Sequence, residues 1–265
     1  MNAFHSIWSK PSKNSQYSPQ YFEILTAVLS ALEWKKHNGR ISMVCDSSVA
    51  DFLYSNHLES AWDEIIISLD DIPDSINPKN YWAAGKLFAL SLFDTPIVGI
   101  DTDFIVWKKL NFKAPLYVIH KEELTPECYP DLPEFKKLAQ GFDFSVKASN
   151  TAFFYINNSD FLKLYTDTAI SFMKNYSPHG ISLPSMLFAE QRLFSMCAKK
   201  LDIEITELLP LNDLFTEKNR TFTHLWGYKE TLRKNPDLNI SYCEQCQKRI
   251  TAISSQLCEH LLKLQ

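Results

Sequence analysis

The feature that most restricts how this chain can fold is an alternation of strand-like and helix-like segments that ends in an acidic pair, Asp101 and Asp103. Ala3 to Trp8, Ile41 to Cys45, Glu64 to Ser68 and Pro96 to Ile100 read as short strands. Between the first two, Tyr21, Leu25, Val28 and Leu32 recur at helical spacing behind a Ser18-Pro19 start signal. Ser47 to Tyr54 and Tyr81 to Phe93 read as two further helices. This order predicts a mostly parallel sheet covered on both faces, in which ligands collect outside the carboxyl ends of the strands. The acidic pair lies at one of those ends, and the exit of the first strand, Ser6 to Lys10, opens onto the same side.

Beyond the pair the pattern becomes more irregular. Leu116 to His120 and the aromatic Thr151 to Asn157 read as strands, with shorter ones at Asp202 to Thr206 and Thr221 to His224. Helices are expected over Pro130 to Leu138, Phe161 to Asn175 and Leu183 to Lys199, with a last one from about Ser241 to Leu262. The expected organisation is one α/β domain over residues 1–235 with an amphipathic C-terminal helix over 236–265 packed on it.

Composition narrows the partners. With 265 residues, 45% hydrophobic and 22% charged, the chain has the make-up of a globular protein, and a net charge of −4 argues against a nucleic-acid partner. No run approaches the roughly 20 apolar residues of a membrane span, and the first residues lack a basic segment followed by a long apolar one, so a cytoplasmic location is expected. Cys243 and Cys246 have the spacing of half a zinc site, but they also fall on the stripe Cys243, Cys246, Ile250, Ile253 and Leu257. That stripe is the buried face of a helix, and no second ligand pair accompanies it.

If the backbone stays extended through Asp101-Thr102-Asp103, the two carboxylates project to one side and suit a hard cation such as Mg²⁺ or Mn²⁺, and through it a diphosphate. An acidic turn at a strand end has the same sequence. Three further segments carry polar groups of suitable type. Thr223-His-Leu-Trp-Gly-Tyr-Lys229 offers an imidazole, a glycine and a point charge. Lys147 to Asn157 places Asn150 before a buried strand, and Ala189-Glu-Gln-Arg-Leu-Phe194 sets Glu190 and Gln191 on a helix. Each also has a structural reading: a strand-end histidine, a turn-closing asparagine, a solvated helix face.

Together these segments resemble the GT-A class of nucleotide-sugar glycosyltransferases. The late His-x-x-Gly-x-Lys looks most like the retaining family that includes glycogenin and the bacterial lipopolysaccharide galactosyltransferases. The resemblance spans most of positions 3 to 229, and it departs from the family where Glu230-Thr231 replace the usual Pro-Trp. It implies a Rossmann-like mixed sheet flanked by helices and a metal site at Asp101, Asp103 and His224 for Mn²⁺ or Mg²⁺. It further implies a diphosphate contact at Lys229, a nucleotide-facing Lys86, and donor-cleft positions for Ser6, Trp8 and Asn150. Glu190 and Gln191 would line the sugar side, among the catalytic groups with the two aspartates. The implied partners are a nucleoside-diphosphate sugar, a UDP-sugar in particular, and a hydroxyl acceptor in surface polysaccharide.

Two other readings use the same residues. A metal-dependent phosphohydrolase or nucleotidyltransferase would share the acidic pair, although related nucleotidyltransferases carry a Gly-rich loop after the first strand and none of the six glycines lies near Ser6 to Lys13. A catalytically silent saccharide- or protein-binding relative is the other. An inverting transfer would need Glu190 as base, and a retaining one would place Gln191 at the reacting face.

Overall fold

In the computed structural model, residues 1–12, 16–178, 180, 182–214 and 221–265 are described. β1 (Asn2–Ile7) leads to α1 (Tyr21–His37). The helix starts just past the Ser18-Pro19 signal, where the Gln20 N–H donates to Glu23 Oε2 at 2.9 Å. β2 (Ile41–Cys45) and α2 (Ser47–Ser55) follow, with Asp46 capping α2 by accepting from the Val49 N–H at 3.1 Å. Then come β3 (Glu64–Ile67), α3 (Ala84–Leu90), β4 (Ile97–Ile100), β5 (Phe104–Val106), β6 (Leu116–Val118) and β7 (Lys121–Glu122). α4 (Pro133–Leu138), β8 (Ala148–Ser149), β9 (Phe153–Ile156), α5 (Ser159–Asn175) and α6 (Leu183–Leu187) are next. A π-helical turn, Phe188–Arg192, joins α6 to α7 (Leu193–Lys200), and β10 (Ile205–Glu207), β11 (Phe222–His224), α8 (Tyr228–Lys234), α9 (Pro236–Ile253) and α10 (Ser255–Leu262) complete the order.

The α/β class expected from the sequence is the one found. Seven strands form a sheet in the order β10, β6, β9, β4, β1, β2, β3, in which β9 alone runs against its neighbours β4 and β6. Successive residues of one strand feed opposite cores, as a pleat requires. Ala3, Val98 and Phe153 join the cluster containing α1 and α9, whereas Phe4, Ile97 and Phe154 join the one containing α3, α5 and α7.

From β1 the chain winds outward to β2 and β3, and β4 then returns to the other side of β1. A crevice opens at the carboxyl ends where the winding reverses. Gly99 in β4 is required by the packing there, since a Cβ would fall 2.1 Å from the Phe154 ring.

The largest departures lie on helices. α3 begins at Ala84 because Tyr81 is held in the preceding turn, buried, its hydroxyl donating to the Tyr176 carbonyl at 2.7 Å. The single last helix expected from the stripe is two. α9 starts at Pro236 under an Asn235 cap, and the helix breaks at Ser254, whose Oγ accepts from the Leu257 N–H at 3.3 Å. The stripe itself is buried at Cys243, Cys246, Ile250 and Leu257. Tyr242 meets Thr26 Oγ1 at 2.8 Å, and Gln247 Nε2 donates to the Tyr21 hydroxyl at 2.8 Å, so α9 packs on α1. Cys243 and Cys246 are free thiols in that core. Among the described residues no helix is long and apolar enough to cross a membrane.

Candidate functional site

The backbone does not stay extended through the acidic pair. The Asp101 N–H donates to the Ala152 carbonyl at 2.7 Å, the last rung of the sheet, and the Phe104 N–H then donates to the Asp101 carbonyl at 2.9 Å, closing a turn over Thr102 and Asp103. This corrects the expectation that both carboxylates aim at one point from an extended strand. Both line the same crevice, yet each meets a different lysine.

Lys86, on α3, is buried, and its Nζ lies 2.5 Å from Asp101 Oδ1, against Glu190 Oε1, and 3.2 Å from the Thr151 carbonyl. Burial works against its charge, but Asp101 and Glu190 outweigh that and hold the ammonium well above the ordinary lysine range. The same burial, with Glu190 and Asp103 adding repulsion, lifts the Asp101 carboxyl to about 7 against the pull of Lys86. Glu190 is delivered by the π turn, and its Oε1 also accepts from Thr151 Oγ1 at 3.0 Å. The backbone carbonyl of Glu190 accepts from Tyr165 at 2.6 Å. Turns of this kind recur at functional sites because one extra residue re-aims the side chains that follow.

The second lysine arrives from far along the chain. β11 pairs antiparallel with β5 so that His224 lies opposite Phe104, and the Leu225 N–H donates to the Asp103 carbonyl at 3.1 Å. His224 Nε2 is thereby 3.7 Å, and Lys229 Nζ 2.8 Å, from Asp103 Oδ2. Burial opposes ionisation of Asp103, but His224 and Lys229 hold its carboxyl below the usual range. Burial pushes the His224 imidazole down to about 4 against the attraction of Asp103, so it is neutral at pH 7.

Two cavities meet at this pair, sharing Thr102, Asp103 and Lys229. One, about 260 Å³, is lined by Ser6, Trp8, Trp82, Lys86, Asp101 and Glu190. The other, about 220 Å³, is lined by Ile7, Tyr17, Phe22, Glu23, Thr26 and Leu225. Trp8 Nε1 is buried with no hydrogen-bond partner among the described residues. Its ring is seated because Gly85 lacks a side chain: a Cβ there would lie 2.8 Å from Trp8 Cβ.

Asn150 is turned elsewhere. Its Nδ2 donates to Glu122 Oε1 at 2.7 Å and its Oδ1 accepts from the Ala152 N–H at 3.2 Å, the turn-closing role. Gln191 Oε1 accepts from the Tyr129 hydroxyl at 2.5 Å. His120, Glu122 and Tyr129 were not singled out in the sequence. They sit in a mixed, turn-rich stretch with no spacing signal.

A divalent cation needs converging donors. Asp103 and the neutral His224 supply an oxygen and a nitrogen facing each other, a suitable pair, while Asp101 is committed to Lys86. Among the described residues no three His, Cys, Asp or Glu side chains close on one point. The fit is therefore of two ligands, not the expected three.

The chain belongs to DUF6734, a family of unknown function whose profile matches residues 1–263. No curated protein matches it. Among solved structures it is similar to the PaToxG glycosyltransferase, with 12% identity and a TM-score of 0.45 over 99% of this chain and 83% of that one. It is also similar to mouse xyloside xylosyltransferase 1, with 10% identity and a TM-score of 0.41 over 78% and 85%. A third is the CTP:phosphocholine cytidylyltransferase LicC of Streptococcus pneumoniae, with 10% identity and a TM-score of 0.42 over 87% and 96%. At these values the likeness carries no inference about chemistry.

Proposed function

We propose that this protein is a nucleotide-sugar glycosyltransferase that moves a sugar from a nucleoside-diphosphate donor, a UDP-sugar, to a hydroxyl acceptor. The observation that carries the reading is the meeting of two unlike cavities at Asp103 and Lys229. A base and ribose suit the cavity lined by Tyr17, Phe22 and Ile7, and the sugar suits the one lined by Lys86, Asp101 and Glu190. The diphosphate then lies against Lys229 as a point charge between them.

Asp103 and His224 would hold a divalent cation, Mn²⁺ or Mg²⁺, whose chemistry is to neutralise charge on the departing diphosphate. The chain's own groups bind and orient. Lys229 shifts its ammonium from Asp103 toward phosphate, and Lys86 fixes Asp101 and Glu190 while adding positive charge to the sugar cavity. Glu190 is held by Lys86 and Thr151, which favours an anchoring role over that of an acceptor base. Gln191 is held by the Tyr129 hydroxyl and lines neither of the two cavities, so a retaining transfer is supported by the likeness of the late His motif and not by the position of Gln191.

The test is UDP release. With UDP-glucose, UDP-galactose and UDP-N-acetylglucosamine in Mn²⁺, the wild type should release UDP from at least one donor, and Asp103→Ala should slow this by about 100-fold or more. Intact UDP binding without release from any of them would refute the transferase reading.

A further inference from the structure

A further cavity, of about 250 Å³, shares no lining residue with the two that meet at Asp103. Its walls are apolar and aromatic, with Pro130, Pro184, Phe135, Phe144 and Phe188, and Arg192 is the one cation among the described residues that line it. The π turn that delivers Glu190 to the sugar side also builds this cavity, since Phe188 opens that turn and Arg192 ends it. The ring of Phe188 lies 4.4 Å from that of Phe135, on α4, and 5.9 Å from that of Phe144.

Arg192 is only 5% exposed, yet its guanidinium meets no carboxylate among the described residues. Nη1 donates to the Val146 carbonyl and Nη2 to the Phe144 carbonyl at 2.7 Å, which engages part of the fork and leaves the charge without a counter-ion. Burial works against that charge, and the attraction of Asp131 and Asp143 does not make up for it. Asp131 lines the same cavity, but its carboxylate is taken by Lys136 at 2.7 Å. A buried cation normally has a partner, and here an unfilled cavity lies where that partner would be.

We propose that this cavity binds a small aromatic carboxylate, with the carboxylate on Arg192 and the ring against Phe135, Phe144 and Phe188. The guanidinium fork matches the two oxygens of a carboxylate. A single unpaired cation beside Asp131 suits one negative charge and disfavours a phosphate dianion. The aromatic walls favour a planar body that can stack or meet them edge to face. The volume falls below the roughly 300 Å³ at which ordinary ligand clefts begin, which limits that body to one ring. The site stands whether or not a nucleotide binds at Asp103.

Fluorine NMR titration of the full chain tests it, with 4-fluorophenylacetate as the probe and 4-fluorophenylacetamide as its neutral counterpart. The acid should bind at least about tenfold more tightly than the amide, the worth of a charge-assisted contact. In Arg192→Gln the acid should fall to the level of the amide, while the amide stays within about twofold of its wild-type affinity. Leu124 is exposed at the rim, and Leu124→Glu should weaken the acid about 3- to 10-fold and spare the amide. That second variant decides the matter where Arg192→Gln fails to fold. No binding of the acid, equal affinity of acid and amide in the wild type, or acid binding unchanged in the folded variants would overturn the site and leave Arg192 as a brace for the carbonyls of Phe144 and Val146.

Discussion

Asp103 Oδ2 and Lys229 Nζ lie 2.8 Å apart, joined through the pairing of two three-residue strands rather than through any contact within their own segments. β5 carries the chain away from Asp103 and β11 carries it back to His224, so the pairing sets both the histidine and the lysine against one carboxylate. An ammonium held by a single carboxylate on a cleft wall can exchange that partner for a phosphate at little cost. Lys86, held by two carboxylates and a carbonyl, cannot.

That difference makes Lys86 a stability residue. Lys86→Met removes the positive charge between Asp101 and Glu190 and should destabilise the fold by about 3–5 kcal/mol, the range for breaking a buried pair. Lys86→Met combined with Glu190→Gln should recover much of the loss, because one stranded carboxylate is gone. Urea unfolding of the three proteins measures both effects, and a single-variant loss below about 1 kcal/mol would contradict the burial account.

Gly85 inverts the usual helix rule. Gly→Ala in an exposed helix gains up to about 1 kcal/mol. Here the new Cβ would lie 2.8 Å from Trp8 Cβ and 3.1 Å from Leu69 Cδ1. Gly85→Ala should therefore lose about 1–3 kcal/mol and shift the near-ultraviolet signal of Trp8, both read in one thermal melt by circular dichroism.

Acid should destabilise the protein through its buried histidines. His5 Nδ1 accepts from Trp62 Nε1 at 3.1 Å and its Nε2 lies 3.1 Å from Ser30 Oγ, so the ring sits neutral in the core, where burial pushes it down to about 3. The unfolded chain protonates near 6.5 and the folded one does not. The stability this group supplies is thus whole above pH 6.5 and is lost as pH falls toward 3. His224, pushed down to about 4, acts in the same direction. Urea midpoints of wild type and His5→Gln should converge as pH falls from 7 to 4.5, and parallel curves would contradict the neutral assignment.

Much of this was legible in the sequence. β2 spans the expected Ile41–Cys45, and β1, β3, β4 and α5 are within two residues of expectation, because each is an apolar run or helical stripe bounded by polar turns. The acidic pair, the late histidine and the late lysine were also recognisable by residue type and order. What was not legible is set by tertiary contacts. The turn between β4 and β5 has the same sequence as an extended acidic pair, the π turn leaves no spacing mark around Glu190, and the break at Ser254 interrupts a stripe that continues on both sides of it. Nothing in the sequence around Lys86 marks it as buried. Only the approach of α3 to β4 and the π turn shows it to be buried.

The central claim is that a nucleoside diphosphate binds across Asp103 and Lys229, and calorimetric titration of UDP with and without Mn²⁺ tests it most directly. UDP should bind the wild type, more tightly with Mn²⁺ than without, and Lys229→Ala should weaken it by roughly 10- to 100-fold, the loss of one charge-assisted contact. Equal affinity in wild type and Lys229→Ala, or no binding of UDP, GDP or CDP to the wild type, would contradict the account.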